Sequence, residues 1–338
     1  MLYGRGMSNF WAKLPKPFFC LAPLADVTDA AFRRIIAKYG KPDVLWTEFV
    51  SVDGLCSPGR EVLLRDFMYT ESERPIVAQI FGSKPDNFFK VAELIKELGF
   101  DGIDINMGCP DKNVERQGGG AAMIKSPELA VEVIRATQEG GGGLPVSIKT
   151  RVGFNKVELE TWIPKLLETK PPAITIHART RKEMSNVPAR WGHVKEVVAM
   201  AKGSGTLIIG NGDVKDLVDA KTKAAESGAD GVMLGRAIFG NPWLFAGLSG
   251  RTRSDLEISE LRSDLVRQPT TEEKLRVMVE HTKLFHELLG DVKNFAVMKK
   301  HFKAYVNGWG GAKELRMKLM ETETPEEVEG IVEEFLSR

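Results

Sequence analysis

The 338-residue chain has three cysteines, an odd number and too few to staple a fold, so a reducing compartment is expected. It has almost no net charge, since 47 Lys and Arg stand against 46 Asp and Glu. A polycation is thereby excluded, and any nucleic-acid partner has to meet a local basic patch. No apolar run reaches the roughly 18 residues that a membrane-spanning helix needs. Near the start, Pro15 and Pro17 interrupt the chain before the apolar core of a signal peptide could form. No membrane partner is implied, and the expected location is cytoplasmic. The five histidines, at 177, 193, 281, 286 and 301, are scattered with no HExxH, and there is no CxxC, so no metal set is expected. A GxSxG nucleophile elbow, a Walker A loop and a full GxGxxG are missing too, which weakens hydrolase and nucleoside-triphosphate readings.

What the chain does have is 43% hydrophobic and 28% charged residues, the composition of a packed core rather than a disordered tail. Eight short apolar, β-branched runs recur at 18–23, 44–49, 76–82, 102–108, 145–151, 173–179, 206–212 and 231–236. Helical patterns lie between them. Segment 86–100 puts Phe88, Val91, Leu94, Ile95 and Leu98 at helical spacing. Segment 126–138 opens with Ser126 as N-cap and Pro127 at the first helical position, and segment 212–230 stops on Gly228. Within 50–75 only EVLLRDF reads as helical, and Gly140 to Gly143 reads as a flexible loop.

Strict strand-then-helix alternation demands a parallel sheet, and eight such units match a closed (β/α)₈ TIM barrel, an α/β fold. The pattern changes near residue 250, where a mixed-charge stretch runs to Pro269. The expected division is a barrel domain over 1–250 and a small helical domain over 251–338, with helices at 271–289, 292–306, 311–320 and 325–336. Glu48, Gln79, Asn106, Lys149, His177 and Asn211 fall at or just after the ends of strand runs. Parallel strands can end on a polar residue simply by reaching solvent. In a barrel, however, those ends ring one mouth, where active sites form.

Two glycine turns, Gly210-Asn211-Gly212-Asp213 and Gly235-Arg236, follow the seventh and eighth runs, where barrels commonly hold a phosphate. Glycine lets backbone N–H groups approach phosphate oxygens, and Arg236 adds a charge-assisted contact. FMN suits a mouth with Gln79, Lys149 and His177 toward the polar edge of its ring and those turns toward its phosphate. Cys109, in the loop Asn106-Met107-Gly108-Cys109-Pro110, is either a catalytic thiol positioned for proton transfer or an ordinary loop residue.

The motifs APLADVTDAAFRR (22–34), QIFG (79–82) and DINMGCPDKNVERQGGGAAM (104–123) occur in order. SIKTRVG (147–153), TIHARTR (175–181), IGNGDV (209–214), GVMLGRAIFGNPWLF (231–245) and MKKHFKAYVNGWGGAKELR (298–316) follow. From about Phe19 to the last helix the chain resembles the tRNA-dihydrouridine synthases. The resemblance implies reduction of the C5=C6 bond of uridines in tRNA, by hydride from reduced FMN, with NADPH as reductant and Cys109 as proton donor. It implies that Pro23, Leu24 and Ala25 lie against the flavin, with Gln79, Lys149 and His177 on its ring and ribityl chain. Asn211, Gly212, Asp213, Gly235 and Arg236 would hold the phosphate end, and Asn106 would orient the uracil. For tRNA the expected contacts are Lys299, Lys300 and Lys303, with Arg179, Arg181 and Lys182 beside the mouth as a further place for RNA. From Lys274 to Lys318 there are ten basic residues against four acidic ones, a charge that the acidic close of the chain cancels in the total. No protein partner is evident. The competing reading is an FMN-dependent barrel dehydrogenase acting on a small molecule, of the dihydroorotate type, which would not need the basic helical appendage.

Overall fold

In the second expected strand run the chain bulges, so the eight runs become nine strands. The computed structural model describes residues 9–248 and 269–338, and the domain boundary expected at residue 250 lies outside the described residues. The strands are β1 (Phe18–Leu21), β2 (Leu45–Trp46), β3 (Val50–Ser51), β4 (Ile76–Phe81), β5 (Gly102–Met107), β6 (Val146–Arg151), β7 (Ala173–His177), β8 (Leu207–Asn211) and β9 (Gly231–Leu234). All pairings are parallel, in the order β1-β9-β8-β7-β6-β5-β4-β2, with β3 also on β4. A bridge between Cys20 and Val44 returns the sheet to its start and makes a nearly closed TIM barrel. The break between β2 and β3 has a chemical cause. The Thr47 hydroxyl, not a backbone carbonyl, accepts the Gln79 N–H at 3.0 Å, and it donates to the Glu48 carbonyl at 2.8 Å.

The barrel interior is apolar at the bottom and polar at the top. Phe18, Cys20, Trp46, Val77, Ala173, Ile209 and Met233 form one buried cluster, closed from below by Trp11. Gly231 belongs there for want of space, because an added Cβ would lie 2.4 Å from the Phe18 ring. A second apolar layer lies between the sheet and the helices α1 (Ala30–Tyr39), α4 (Pro85–Glu97), α6 (Pro127–Gly141), α7 (Leu159–Leu167), α8 (Trp191–Met200) and α9 (Leu217–Ser227). Within 50–75, α2 (Val52–Leu55) and α3 (Arg60–Leu63) are single turns; after β5, α5 (Lys112–Arg116) is little more. Gly228 ends α9 with φ +73, the left-handed stop read from the sequence.

Two local expectations are corrected. Gly140 and Gly141 are not loop but the last turn of α6, which passes so close to α4 that a Cβ on Gly140 would meet the Phe89 carbonyl oxygen at 2.2 Å. Ser126 does occupy the N-cap of α6, yet its side chain makes no capping bond, and Pro127 opens the helix alone.

After the barrel come α10 (Thr271–Leu289), α11 (Ala296–Tyr305), α12 (Ala312–Met320) and α13 (Pro325–Leu336). Reciprocal capping boxes, Thr270 with Glu273 and Thr324 with Glu327, start α10 and α13. Their apolar faces share one buried cluster with Ala30, Ala31 and Ile35 of the barrel helix α1. At that seam Phe32 lies 5.5 Å from the His281 ring and 5.2 Å from the His301 ring, with the two imidazoles 4.6 Å apart. Both histidines are fully buried, and both nitrogens of His281 and Nε2 of His301 lack a hydrogen-bond partner among the described residues. Burial therefore holds both rings neutral, pushing His301 down to about 3 and His281 well below the ordinary histidine value.

A folded-state value below the unfolded one means that the unfolded chain takes up protons first as pH falls. Stability should be complete above about pH 6.5 and fall below it, by up to about 1.4 kcal/mol per pH unit for each histidine. Urea unfolding at pH 7.5, 6 and 5 measures this slope, and replacing both His281 and His301 with Leu should flatten it. An unchanged slope in that variant would show that other groups cause the acid sensitivity.

Candidate active site

Register, more than spacing, decides which polar side chains meet. Gln79 is level with Asp104, Asn106 with Lys149, and Arg151 with His177 and, through it, Asn211. Because inward side chains alternate along each strand, these pairs form layers that climb toward the mouth. The deepest polar layer is fully enclosed. Gln79 Nε2 donates to Asp104 Oδ2 at 2.7 Å, and Ser147 Oγ donates to Asp104 Oδ1 at 2.6 Å. Gln79 Oε1 in turn accepts from Asn106 Nδ2 at 3.0 Å. Burial lifts the Asp104 carboxyl to about 6. Gln79, expected on the ring of a cofactor, is not on the cavity wall: it stands two residues before the end of β4 and both ends of its amide are engaged. Asp104 went unread, although a charged residue inside an apolar strand run, two before Asn106, was a legible signal.

Above this layer opens a cavity of about 810 Å³. Pro23, Leu24 and Ala25 from the loop after β1 form one wall, and Asn106 and Cys109 another. Lys149, Arg151, His177 and Arg179 line it from β6 and β7, and Asn211, Gly212, Asp213, Gly235 and Arg236 from the ends of β8 and β9. All expected cofactor-side residues except Gln79 thus converge on one space. The Lys149 ammonium has no hydrogen bond or ion pair among the described residues, and burial, with Arg151 beside it, pulls it down to about 8. His177 is held neutral, well below its ordinary value, by burial and then by Arg151, Lys149, Arg179 and Arg236. The Arg179 guanidinium has only donors, so at 3.2 Å from His177 Nε2 it makes that nitrogen the acceptor and leaves the ring proton on Nδ1.

Two expectations change on this geometry. Asp213 does not face a phosphate as a partner. Its carboxylate binds Arg179, Arg236 (2.6 Å) and the Ala189 N–H (2.8 Å), which keeps it below the usual carboxylate range despite the opposing pull of burial. Asp213 and Gly212, with φ +49 and +125, turn the chain so that this carboxylate can hold both arginines. Arg179 is not an outward RNA contact either. It is 3% exposed, and its nitrogens are taken by Val187 O, His177 and Asp213. Arg181 pairs with Glu115 through two bonds, which ties the Cys109 loop to the loop after β7. Arg151, which sequence reasoning passed over, donates to Gly108 O at 2.7 Å and braces the same loop.

The Cys109 backbone is fixed from below. Asn106 Oδ1 accepts the N–H groups of Gly108 (3.1 Å) and Cys109 (2.9 Å), so Asn106 makes the turn that presents the thiol. Burial pushes the thiol up from its ordinary value, with Asp111 and the nearby cations as smaller influences. Lys299, Lys300 and Lys303 lie on α11, outside the cavity, on the side away from buried Met298, Phe302 and Tyr305. Lys300 reaches Asp26 at 3.1 Å, whereas Lys299 and Lys303 have no ion pair among the described residues. No group of His, Cys, Asp and Glu among the described residues is arranged to hold a metal ion.

A model of the dihydrouridine synthase family matches residues 20–338. The chain is 38% identical over 332 residues to a "Probable tRNA-dihydrouridine synthase" of Staphylococcus aureus strain COL, covering 97% of this chain and 95% of that one. It is 39% identical to a "Probable tRNA-dihydrouridine synthase 2" of Bacillus subtilis strain 168, covering 97% and 96%. Among solved structures, histamine dehydrogenase from Rhizobium sp. 4-9 superposes with a TM-score of 0.54 at 13% identity, over 80% of this chain and 49% of that one. The old yellow enzyme homologue from Zymomonas mobilis gives 0.50 at 14%, over 77% and 97%. Both share the barrel fold.

The charge around His177 makes a direct prediction. Nitrogen NMR of the five-histidine chain, with His177→Asn for assignment, should show the His177 ring still neutral, with its proton on Nδ1, at pH values where an ordinary histidine is charged. A titration near the ordinary value of about 6.5 would mean that the surrounding cations do not act as described.

Proposed function

Because the chain belongs to the dihydrouridine synthase family, we propose that it reduces the C5=C6 bond of uridines in tRNA to 5,6-dihydrouridine, with FMN in the barrel mouth, NADPH as reductant and Cys109 as proton donor. One observation carries this reading: a half-buried ammonium with no hydrogen bond or ion pair among the described residues, Lys149, and a protonated thiol, Cys109, share a single cavity. The donor set fits FMN. Pro23, Leu24 and Met233 offer apolar surface to a flat ring, while Lys149 and His177 supply a cation and a neutral imidazole for its polar edge. Asn211, Gly212, Gly235 and Arg236 serve the phosphate end, and Asp213 acts there by holding Arg236 and Arg179 in place. FMN, when bound and reduced, supplies the hydride that goes to C6 of the uracil.

The protein's own part is then to hold, orient and protonate. As negative charge develops at C5, the Cys109 thiol gives up its proton, and a thiol raised by burial is still protonated at neutral pH. Asn106 orients the uracil site from beneath by setting the Cys109 turn. Gln79 and Asp104 keep Asn106 in register by a chain of buried hydrogen bonds. A uracil stacked in an RNA arm cannot reach the mouth, so the base must be extruded, at a cost of about a few kcal/mol. The division of labour follows: residues 1–250 carry the chemistry, and 251–338 meet tRNA phosphates through Lys299 and Lys303, with Lys300 shared between RNA and Asp26.

Two measurements test this. Once FMN has been identified by mass in the purified protein, Cys109→Ala should keep FMN and tRNA binding and be reduced by NADPH at the wild-type rate. Its reduction of tRNA uridines should fall by about 10²–10⁴-fold. A wild-type rate on tRNA would remove the thiol from the mechanism. Separately, Lys299→Ala with Lys303→Ala should weaken tRNA binding and lower the slope of log affinity against log salt by about two units, one per lost phosphate contact. Filter binding over a salt series reads this, and an unchanged slope would place the RNA elsewhere.

A further inference from the structure

Glu48 ends the second strand run, like the other polar residues of the mouth, yet it does not line the cavity. It is 5% exposed and faces two ways. Its Oε1 accepts the N–H of Asp26 at 2.5 Å, in the loop after β1 whose Leu24 and Ala25 form the cavity wall. Its Oε2 accepts from Lys293 Nζ at 2.6 Å, in the segment joining α10 to α11, and the same ammonium meets Asp66 at 2.9 Å. Asp26 has φ +53, a left-handed conformation that side chains other than glycine rarely adopt. Its carboxylate meets Lys300 of α11 at 3.1 Å. Both polar ends of this strained residue are therefore held by charges that trace to the appended helices.

We propose that Glu48 is a positioning residue that, through Lys293 and the Asp26 N–H, makes the shape of the cavity wall at Leu24 and Ala25 depend on the seating of the appended helices. The helices that would meet RNA and the wall that would meet the cofactor are thus parts of one ion-paired unit. The chemistry of the pair explains why Lys293 matters. Burial lifts the Glu48 carboxyl to about 7 even with Lys293 beside it, and the Asp29 and Asp66 carboxylates push the same way, so loss of that ammonium raises it further and favours the neutral acid. A neutral acid is a weaker acceptor for the Asp26 N–H, and the left-handed turn would lose its anchor. Lys293 for its part stays charged, because Glu48 and Asp66 outweigh the pull of burial. Other ion pairs join the barrel to these helices without this consequence. Lys38 meets Glu280 at 2.7 Å on the exposed flank of α1 and α10 and touches no loop of the cavity.

The test uses the full-length protein and two readouts, of which the second rests on the FMN reading above. Hydrogen exchange by mass spectrometry follows the peptide covering residues 22–29, and fluorescence titration measures FMN affinity. Lys293→Met should speed exchange in that peptide about tenfold and weaken FMN binding about tenfold, with the core of α10 and α13 unchanged. Lys293→Arg should restore both, and Lys38→Met should alter neither. Glu48→Gln, which leaves Lys293 and Asp26 one shared acceptor oxygen, should give the same signature and serves if Lys293→Met does not fold. Wild-type exchange in the Lys293→Met peptide, or an equal effect from Lys38→Met, would overturn the proposal. A wild-type protein that binds no FMN would instead defeat the cofactor reading, while the exchange measurement still decides the coupling.

Discussion

Desolvation of charge inside a closed parallel barrel is the constraint on which this site depends. A sheet that closes on itself turns alternate residues inward, where water cannot reach them, and each polar side chain there needs a partner. Asp104 finds two, in Gln79 and Ser147. Asn106 finds three, in Gln79 and the backbone of Gly108 and Cys109. Lys149, level with Asn106, finds no hydrogen bond or ion pair among the described residues. A structure that satisfies the neighbours of a half-buried cation but gives the cation itself no bonded partner leaves it facing the cavity, where an anionic group can meet it.

The same constraint sorts the arginines. Three guanidinium groups border the cavity, and they could not be packed so close without a counter-ion. Asp213 supplies it to Arg179 and Arg236, while Arg151 is held by backbone carbonyls. Arg179 is thereby fixed on the inside, while Arg236, held by the same carboxylate, is two-thirds exposed. Repulsion within this group also keeps His177 neutral. The site therefore presents one ammonium and one exposed guanidinium, Arg236, on the cavity wall, and presents His177 as a hydrogen-bonding imidazole rather than another charge.

Much of this was legible in the sequence, and what was missed shares a cause. Alternation of strand and helix signals identified the barrel, and of the six polar residues at strand ends Asn106, Lys149, His177 and Asn211 line the cavity while Glu48 and Gln79 do not. The motif resemblance identified the family. Spacing along one strand, however, says nothing of register against its neighbours. Gln79 looks equivalent to Asn106 in its strand run, yet it sits one layer deeper because its level partner is Asp104. Nor does a residue's type reveal who neutralises it. Asp213 and Arg179 are expected on outside partners, yet each is the other's, and Lys300, expected on tRNA, meets Asp26. Gly140 read as a loop for a similar reason: its lack of a side chain answers to Phe89 on another helix, not to any turn of its own.

The appended helices meet the barrel through two contacts of opposite character, and the contrast says what each is for. At the α1 seam Phe32 packs among His281 and His301 in a buried cluster whose ring nitrogens largely lack partners among the described residues. Such a contact gains from burial and is indifferent to small changes of direction, since apolar packing has no preferred axis. At the rim, Lys293 binds buried Glu48 at 2.6 Å, and exposed Lys300 meets exposed Asp26 at 3.1 Å. Partly buried ion pairs add little net stability after desolvation, but they specify geometry. The seam therefore holds the helices on the barrel, and the rim decides their angle to the mouth. Because that rim is built from the residues immediately beyond Leu24 and Ala25, the angle and the cavity wall are set together.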